Sequence, residues 1–176
     1  MNNEYKVVFN RLDNLYNQHE NEYQGAALRV LRSGWYIMGP ELEAFEYEFA
    51  NYTGSRFCIG LNSGLDALTL AIRSLGIGPG DEVIVQANTY IATVLAITAN
   101  GVSPVFVEPD EYHGIDPERI EKSITPRTKA IMAVHLYGQP CDMGAISGIS
   151  QRAGIPIVED CAQSHGATFH GEMTGT

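Results

Sequence analysis

The chain has 176 residues, 44% of them hydrophobic and 18% charged, with a formal net charge of −10. That length suits one domain with a sizeable core, and that composition excludes a disordered chain. The acidic balance excludes duplex nucleic acid as a ligand, no apolar run approaches the roughly 18 residues of a membrane span, and the polar N-terminal stretch has no signal-peptide core.

In chain order, the apolar positions Leu12, Leu15, Tyr16, Tyr23, Ala27, Leu28 and Leu31 predict one amphipathic helix that stops at Ser33-Gly34. An apolar, aromatic loop over 35–39 follows. Pro40, with Glu41 and Glu43 behind it, opens a second helix running to about Tyr52. From there short apolar runs alternate with helical patterning. Strands are predicted at 57–61, 82–86, 104–107, 130–134 and 155–158, and helices at 65–75, 91–98, 117–124 and 143–153. Such alternation needs crossover connections, so the expected fold is α/β: a mostly parallel sheet with helices on both faces. No linker, repeat or low-complexity tract interrupts it. The sequence closes on HGEMTGT, which reads as a loop with no helix or strand after the last apolar run. Cys58, Cys141 and Cys161 have no metal-ligand spacing and read as reduced thiols of a cytoplasmic protein.

In a parallel sheet, ligands sit at the carboxyl ends of the strands. Behind the first predicted strand, Asn62-Ser63-Gly64-Leu65-Asp66 leads straight into a helix. Ser63 and Asp66 have the spacing of an ordinary helix cap, while Gly64 and the free amides suit an anion. Tyr90, behind the second, is either core or a ring that stacks on a flat ligand. His135 and Tyr137 lie behind the fourth. The fifth strand runs into Glu159 and Asp160, with Gln163 and His165 close behind. A carboxylate there needs a partner, either a salt bridge or a cationic ring nitrogen.

Taken together, SGWYIMGPELEAFE, LNSGLDALTLAIRSLGIGPGDEVIV, NTYIAT, IDPERIEKSITPRTKAI, VHLYGQPCDM and VEDCAQSHGA resemble the DegT/DnrJ/EryC1/StrS family of pyridoxal-phosphate (PLP) sugar aminotransferases. The resemblance implies the large domain of fold-type I PLP enzymes, as a helical segment with an active-site loop over 1–54 and part of the PLP-binding domain over 55–176. It implies that Ser63, Gly64 and Leu65 cradle the cofactor phosphate. Many relatives have Thr at the position of Leu65, which removes one hydroxyl contact here. It further implies that Tyr90 stacks on the ring, that Asp160 is the catalytic partner of the pyridinium nitrogen, and that Gln163 bonds the phenolic oxygen. Tyr36 and His165 are expected near the substrate, Tyr36 across a homodimer interface.

SGLDAL, NTYIAT and AQSHGA are most similar to enzymes that aminate carbon 3 of dTDP-linked 3-keto-6-deoxyhexoses, with glutamate as the expected donor. Transamination needs a Schiff-base lysine. The chain has only Lys6, Lys122 and Lys129, none at the expected position. The expectation is therefore an N-terminal portion, inactive by itself, whose lysine lies beyond Thr176. Positive groups for the substrate diphosphate are expected from that remainder or a second subunit. Two other readings stay open: a PLP-dependent sugar dehydratase with histidine in place of the lysine, and a non-catalytic module.

Overall fold

The computed structural model describes residues 10–176, so Lys6 lies outside the described residues. The chain divides into two compact units, 1–47 and 48–176.

In the first unit, the single helix expected over 12–31 is two helices, α1 (Leu12–Gln18) and α2 (Glu20–Ser33), neither with a buried residue. They break at His19, whose φ of −125° and ψ of 25° are not helical. The break falls in Asn17-Gln18-His19-Glu20-Asn21, where asparagine and histidine are weak helix formers. Helix α2 stops as expected, at Gly34 in the left-handed conformation (φ 67°). The loop behind it exposes Trp35, Tyr36, Ile37 and Met38. Helix α3 (Pro40–Thr53) then runs into the second unit.

The second unit continues through α4 (Gly64–Ser74), β1 (Glu82–Gln86), α5 (Ile91–Ala99), β2 (Ser103–Val107), α6 (Pro117–Ser123), β3 (Thr128–Val134), a 3-10 turn (Leu136–Gly138), α7 (Met143–Ala153), β4 (Ile157–Asp160), β5 (Thr168–Phe169) and β6 (Glu172–Met173). Strands β1 to β4 form one parallel sheet in the order β2-β1-β3-β4. Alternation along the strands sends Val83, Val85, Ala130, Met132 and Val134 into one core with Leu68 and Ile72 of α4 and Ala96 and Ile97 of α5. Ile84, Ile131 and Ala133 point the other way, against Ile120 of α6 and Ile146 and Ile149 of α7. Both faces are thus covered, as the run of Val and Ile requires.

Three further sequence expectations are corrected. Residues 57–61 join no sheet, and Phe57 and Ile59 are 70% and 76% exposed. A strand exists only through its neighbour, and no strand of the β2-β1-β3-β4 ladder pairs with this segment. The last strand begins two residues late, because Pro156 has no N–H to give the ladder; Glu159 and Asp160 therefore lie inside β4. Finally, the closing segment is a two-stranded hairpin of β5 and β6, not a bare loop. Its turn, His170-Gly171, has positive φ at both residues (52° and 89°), the backbone that a two-residue hairpin favours.

Candidate active site

Helix α5 begins where the chain leaves the carboxyl end of β1, and between it, the start of α4 and β4 lies a cavity of about 530 Å³. Ser63, Gly64, Leu65, Tyr90, Asp160 and Gln163 all line it, together with Leu68, Leu95, Val134 and Leu136. The six residues that the family resemblance marks as cofactor ligands are brought to one place.

At one end stands the first turn of α4. The Ser63 hydroxyl accepts from the Asp66 amide at 3.2 Å, and Asn62 Nδ2 donates to Asp66 Oδ2 at 2.9 Å. The cap is therefore real, and it leaves the anion site intact. The first helical bond runs from the Ala67 amide to the Ser63 carbonyl at 3.0 Å, ahead of which the Gly64 and Leu65 amides are free to meet an anion. A Cβ placed on Gly64 would touch nothing within 4 Å, so packing does not demand glycine there. What glycine provides is open approach to the backbone. Tyr90 caps α5 and is 70% exposed, which removes the core reading of this residue.

Asp160 lies opposite. Its Oδ2 accepts from Thr93 Oγ1 at 3.1 Å and its Oδ1 from the Ala162 amide at 3.2 Å. Gln163 Oε1 accepts from the Tyr137 amide at 2.9 Å, which turns the amide group of Gln163 to a fixed side. Tyr137 holds φ at 60°, a left-handed backbone that a non-glycine residue adopts only where its surroundings hold it.

Neighbouring Glu159 is paired with a histidine instead. Its Oε2 lies 2.8 Å from Nε2 of His135, which is fully buried, and accepts from the Gly175 amide at 3.0 Å. Burial pushes the Glu159 carboxyl up, but His135 and the Gly175 amide outweigh it and hold the group below the usual carboxylate range. His135, Glu159 and Cys161 bring ligand atoms within 4.8 Å of one another. The Cys141 amide, however, donates to His135 Nδ1 at 3.1 Å, so the ring keeps its proton on Nε2, aimed at Glu159. A metal at Nε2 would have to strip that proton. The group is a structural clamp, and His135 is not in the cavity.

His165 lies elsewhere, in a separate pocket of about 220 Å³ with Phe49 and Tyr52, its ring edge-on to Phe49 at 5.9 Å. Tyr36 belongs to the first unit, where its hydroxyl donates to the Leu31 carbonyl at 3.3 Å. Neither described lysine lines the cavity: Lys122 pairs with Glu118 at the end of α6, and Lys129 sits at the start of β3, at the opposite end of that strand. Sequence reasoning missed Thr93, which is 1% exposed. The available signal was a polar residue inside IATVLAITA, a helix that is otherwise almost wholly apolar. No described helix is long and apolar enough to cross a membrane.

Residues 17–176 match the DegT/DnrJ/EryC1/StrS aminotransferase family. The chain is 56% identical over 160 residues to a dTDP-3-amino-3,6-dideoxy-alpha-D-galactopyranose transaminase of Aneurinibacillus thermoaerophilus, covering 90% of this chain and 44% of the relative. Among solved structures it superimposes on S. venezuelae DesV in complex with a ketimine intermediate, with a TM-score of 0.94 and 53% identity over 97% of this chain and 46% of that one. It also superimposes on E. coli GDP-4-keto-6-deoxy-D-mannose-3-dehydratase with bound hydrated PLP, with a TM-score of 0.82 and 32% identity over 87% of this chain and 41% of that one. The chain thus spans somewhat less than half the length of these relatives.

Proposed function

Because the chain belongs to the DegT/DnrJ/EryC1/StrS aminotransferase family, we propose that its cavity holds PLP and that the protein is a nucleotide-sugar aminotransferase. The observation that carries this reading is one cavity with free helix amides at one end and an aspartate outside any ion pair among the described residues at the other. That donor set fits a molecule with a phosphate on one side and a protonated ring nitrogen on the other.

Bound there, PLP would supply an electron sink for charge that develops at the substrate carbon. The chain's own residues do the holding. The Gly64 and Leu65 amides, backed by the positive end of α4, bind the phosphate. Asp160 keeps the proton on the ring nitrogen, and the exposed Tyr90 ring covers one face of the cofactor. Gln163, with its oxygen engaged by Tyr137, has its nitrogen left to donate to the phenolic oxygen. The Schiff-base lysine comes from outside these 176 residues.

The proposed substrate is a dTDP-linked 3-keto-6-deoxyhexose with glutamate as amino donor, a reading supported by the name of the Aneurinibacillus relative. Tyr36 and His165 are proposed substrate contacts. The exposed apolar loop at Trp35–Met38 supports a homodimer in which that loop is covered, and the three free thiols accord with the proposed cytoplasmic location. A dehydratase is the second reading, favoured by the E. coli neighbour. Incubating the protein expressed from its complete gene with the keto sugar, glutamate and PLP separates them. An amino sugar that keeps the glutamate nitrogen is expected alongside 2-oxoglutarate; a deoxygenated sugar with the nitrogen released as ammonia would sink the aminotransferase reading.

A further inference from the structure

Two threonines of the α5 region form a short, one-way line of hydrogen bonds ending on Asp160. Thr89 Oγ1 donates to Thr93 Oγ1 at 2.9 Å, and Thr93 Oγ1 donates to Asp160 Oδ2 at 3.1 Å. Thr93 has one hydroxyl proton. With its acceptor side taken by Thr89, that proton is directed at the carboxylate. Thr93 is 1% exposed, so water does not substitute for this donor in the folded chain. A buried threonine on an apolar helix also costs desolvation unless it is paired, and Asp160 is the acceptor that pairs it. The line joins α5 to β4, the two elements whose ends carry Tyr90 and Asp160 to the cavity.

We propose that Thr93 is a positioning residue for cofactor binding, holding the Asp160 carboxylate aimed at the ring nitrogen, and that Thr89 sets the direction of the Thr93 hydroxyl. Asp160 has two oxygens and the Ala162 amide fixes one of them. Without Thr93 the carboxylate keeps a single tether and rotates away from a productive orientation. This inference rests on the PLP reading, and it concerns the ring-nitrogen contact alone: the phosphate cradle at Gly64 and Leu65 is independent of it.

The test measures dissociation constants for PLP and for its carbocyclic analogue, which has C–H in place of the ring nitrogen, in the protein expressed from its complete gene. Thr93→Val keeps the shape and removes the hydroxyl. It is expected to weaken PLP about tenfold, the scale of one hydrogen bond to a charged group, and to leave the analogue within about twofold. Thr93→Ser is expected to restore PLP binding. Equal loss for both compounds would make Thr93 merely structural and overturn the proposal, as would no loss for either. Should Thr93→Val fail to fold, Thr89→Val carries the test: a few-fold loss selective for PLP supports the line, and an unchanged ratio overturns it. A wild-type protein that binds neither compound overturns the PLP reading itself, and this inference falls with it.

Discussion

Glu159 and Asp160 are consecutive on β4, so their side chains leave opposite faces of the sheet. Their registers agree: Glu159 lies beside Ala133, Asp160 beside Val134, and those two neighbours belong to different cores. One carboxylate is therefore consumed by His135, and the other is presented to the cavity. The sequence left a salt bridge and a ring nitrogen as equal partners for a carboxylate at this strand end; Glu159 takes neither, but a hydrogen bond from the His135 ring. Asp160→Asn is expected to weaken PLP binding on the order of 100-fold, the loss of one partner from a sheltered charged pair, as read by cofactor titration. For Glu159 the sign of the pH effect follows from a lowered carboxyl. Its stabilisation is present above the ordinary value of 4.5 and is lost as pH falls through the lower folded value. The gap in urea midpoint between wild type and Glu159→Gln should thus be widest near neutrality and narrow in acid below 4.5. Parallel curves across that range would show that the clamp is not ionised as described.

At the scale of elements, legibility tracks how local the cause is. The four paired strands and the helices α4 to α7 follow from apolar spacing and from turn residues within each segment, so the sequence displays them. Residues 57–61 have the apolar content of a strand, but strand character depends on a partner that composition does not reveal. The hairpin of β5 and β6 escaped because two-residue strands have no alternation to detect, although His170-Gly171 was a turn signal in view. The six cavity residues were legible because they follow strand ends or open helices. Thr93 was not, because its role exists only once α5 packs beside β4. Two stability predictions belong here. Ser63→Ala removes the cap of α4 and should cost about 1 kcal/mol in denaturant unfolding. Ile131→Ala, at the centre of the sheet and fully buried, should cost roughly 2–5 kcal/mol. Equal costs for the two would contradict the placement of the core.

For the whole molecule, the charge of −10 acquires a different meaning. It argues against a nucleic-acid partner, yet the proposed cofactor and substrate are both anions. On the proposed reading the cavity reconciles these facts locally: the phosphate would be met by helix amides and not by lysine or arginine, none of which lines it. An acidic chain can therefore bind a phosphorylated cofactor without a basic patch. The chain covers less than half of each relative's length, and the proposed reading takes the lysine and the diphosphate contacts from outside these residues. The most direct measurement is a crystal structure of the protein expressed from its complete gene, grown with PLP. The phosphate is expected on the Gly64 and Leu65 amides, the ring nitrogen on Asp160 and the ring face against Tyr90. PLP bound away from α4, or bound with its ring nitrogen turned from Asp160, would contradict it.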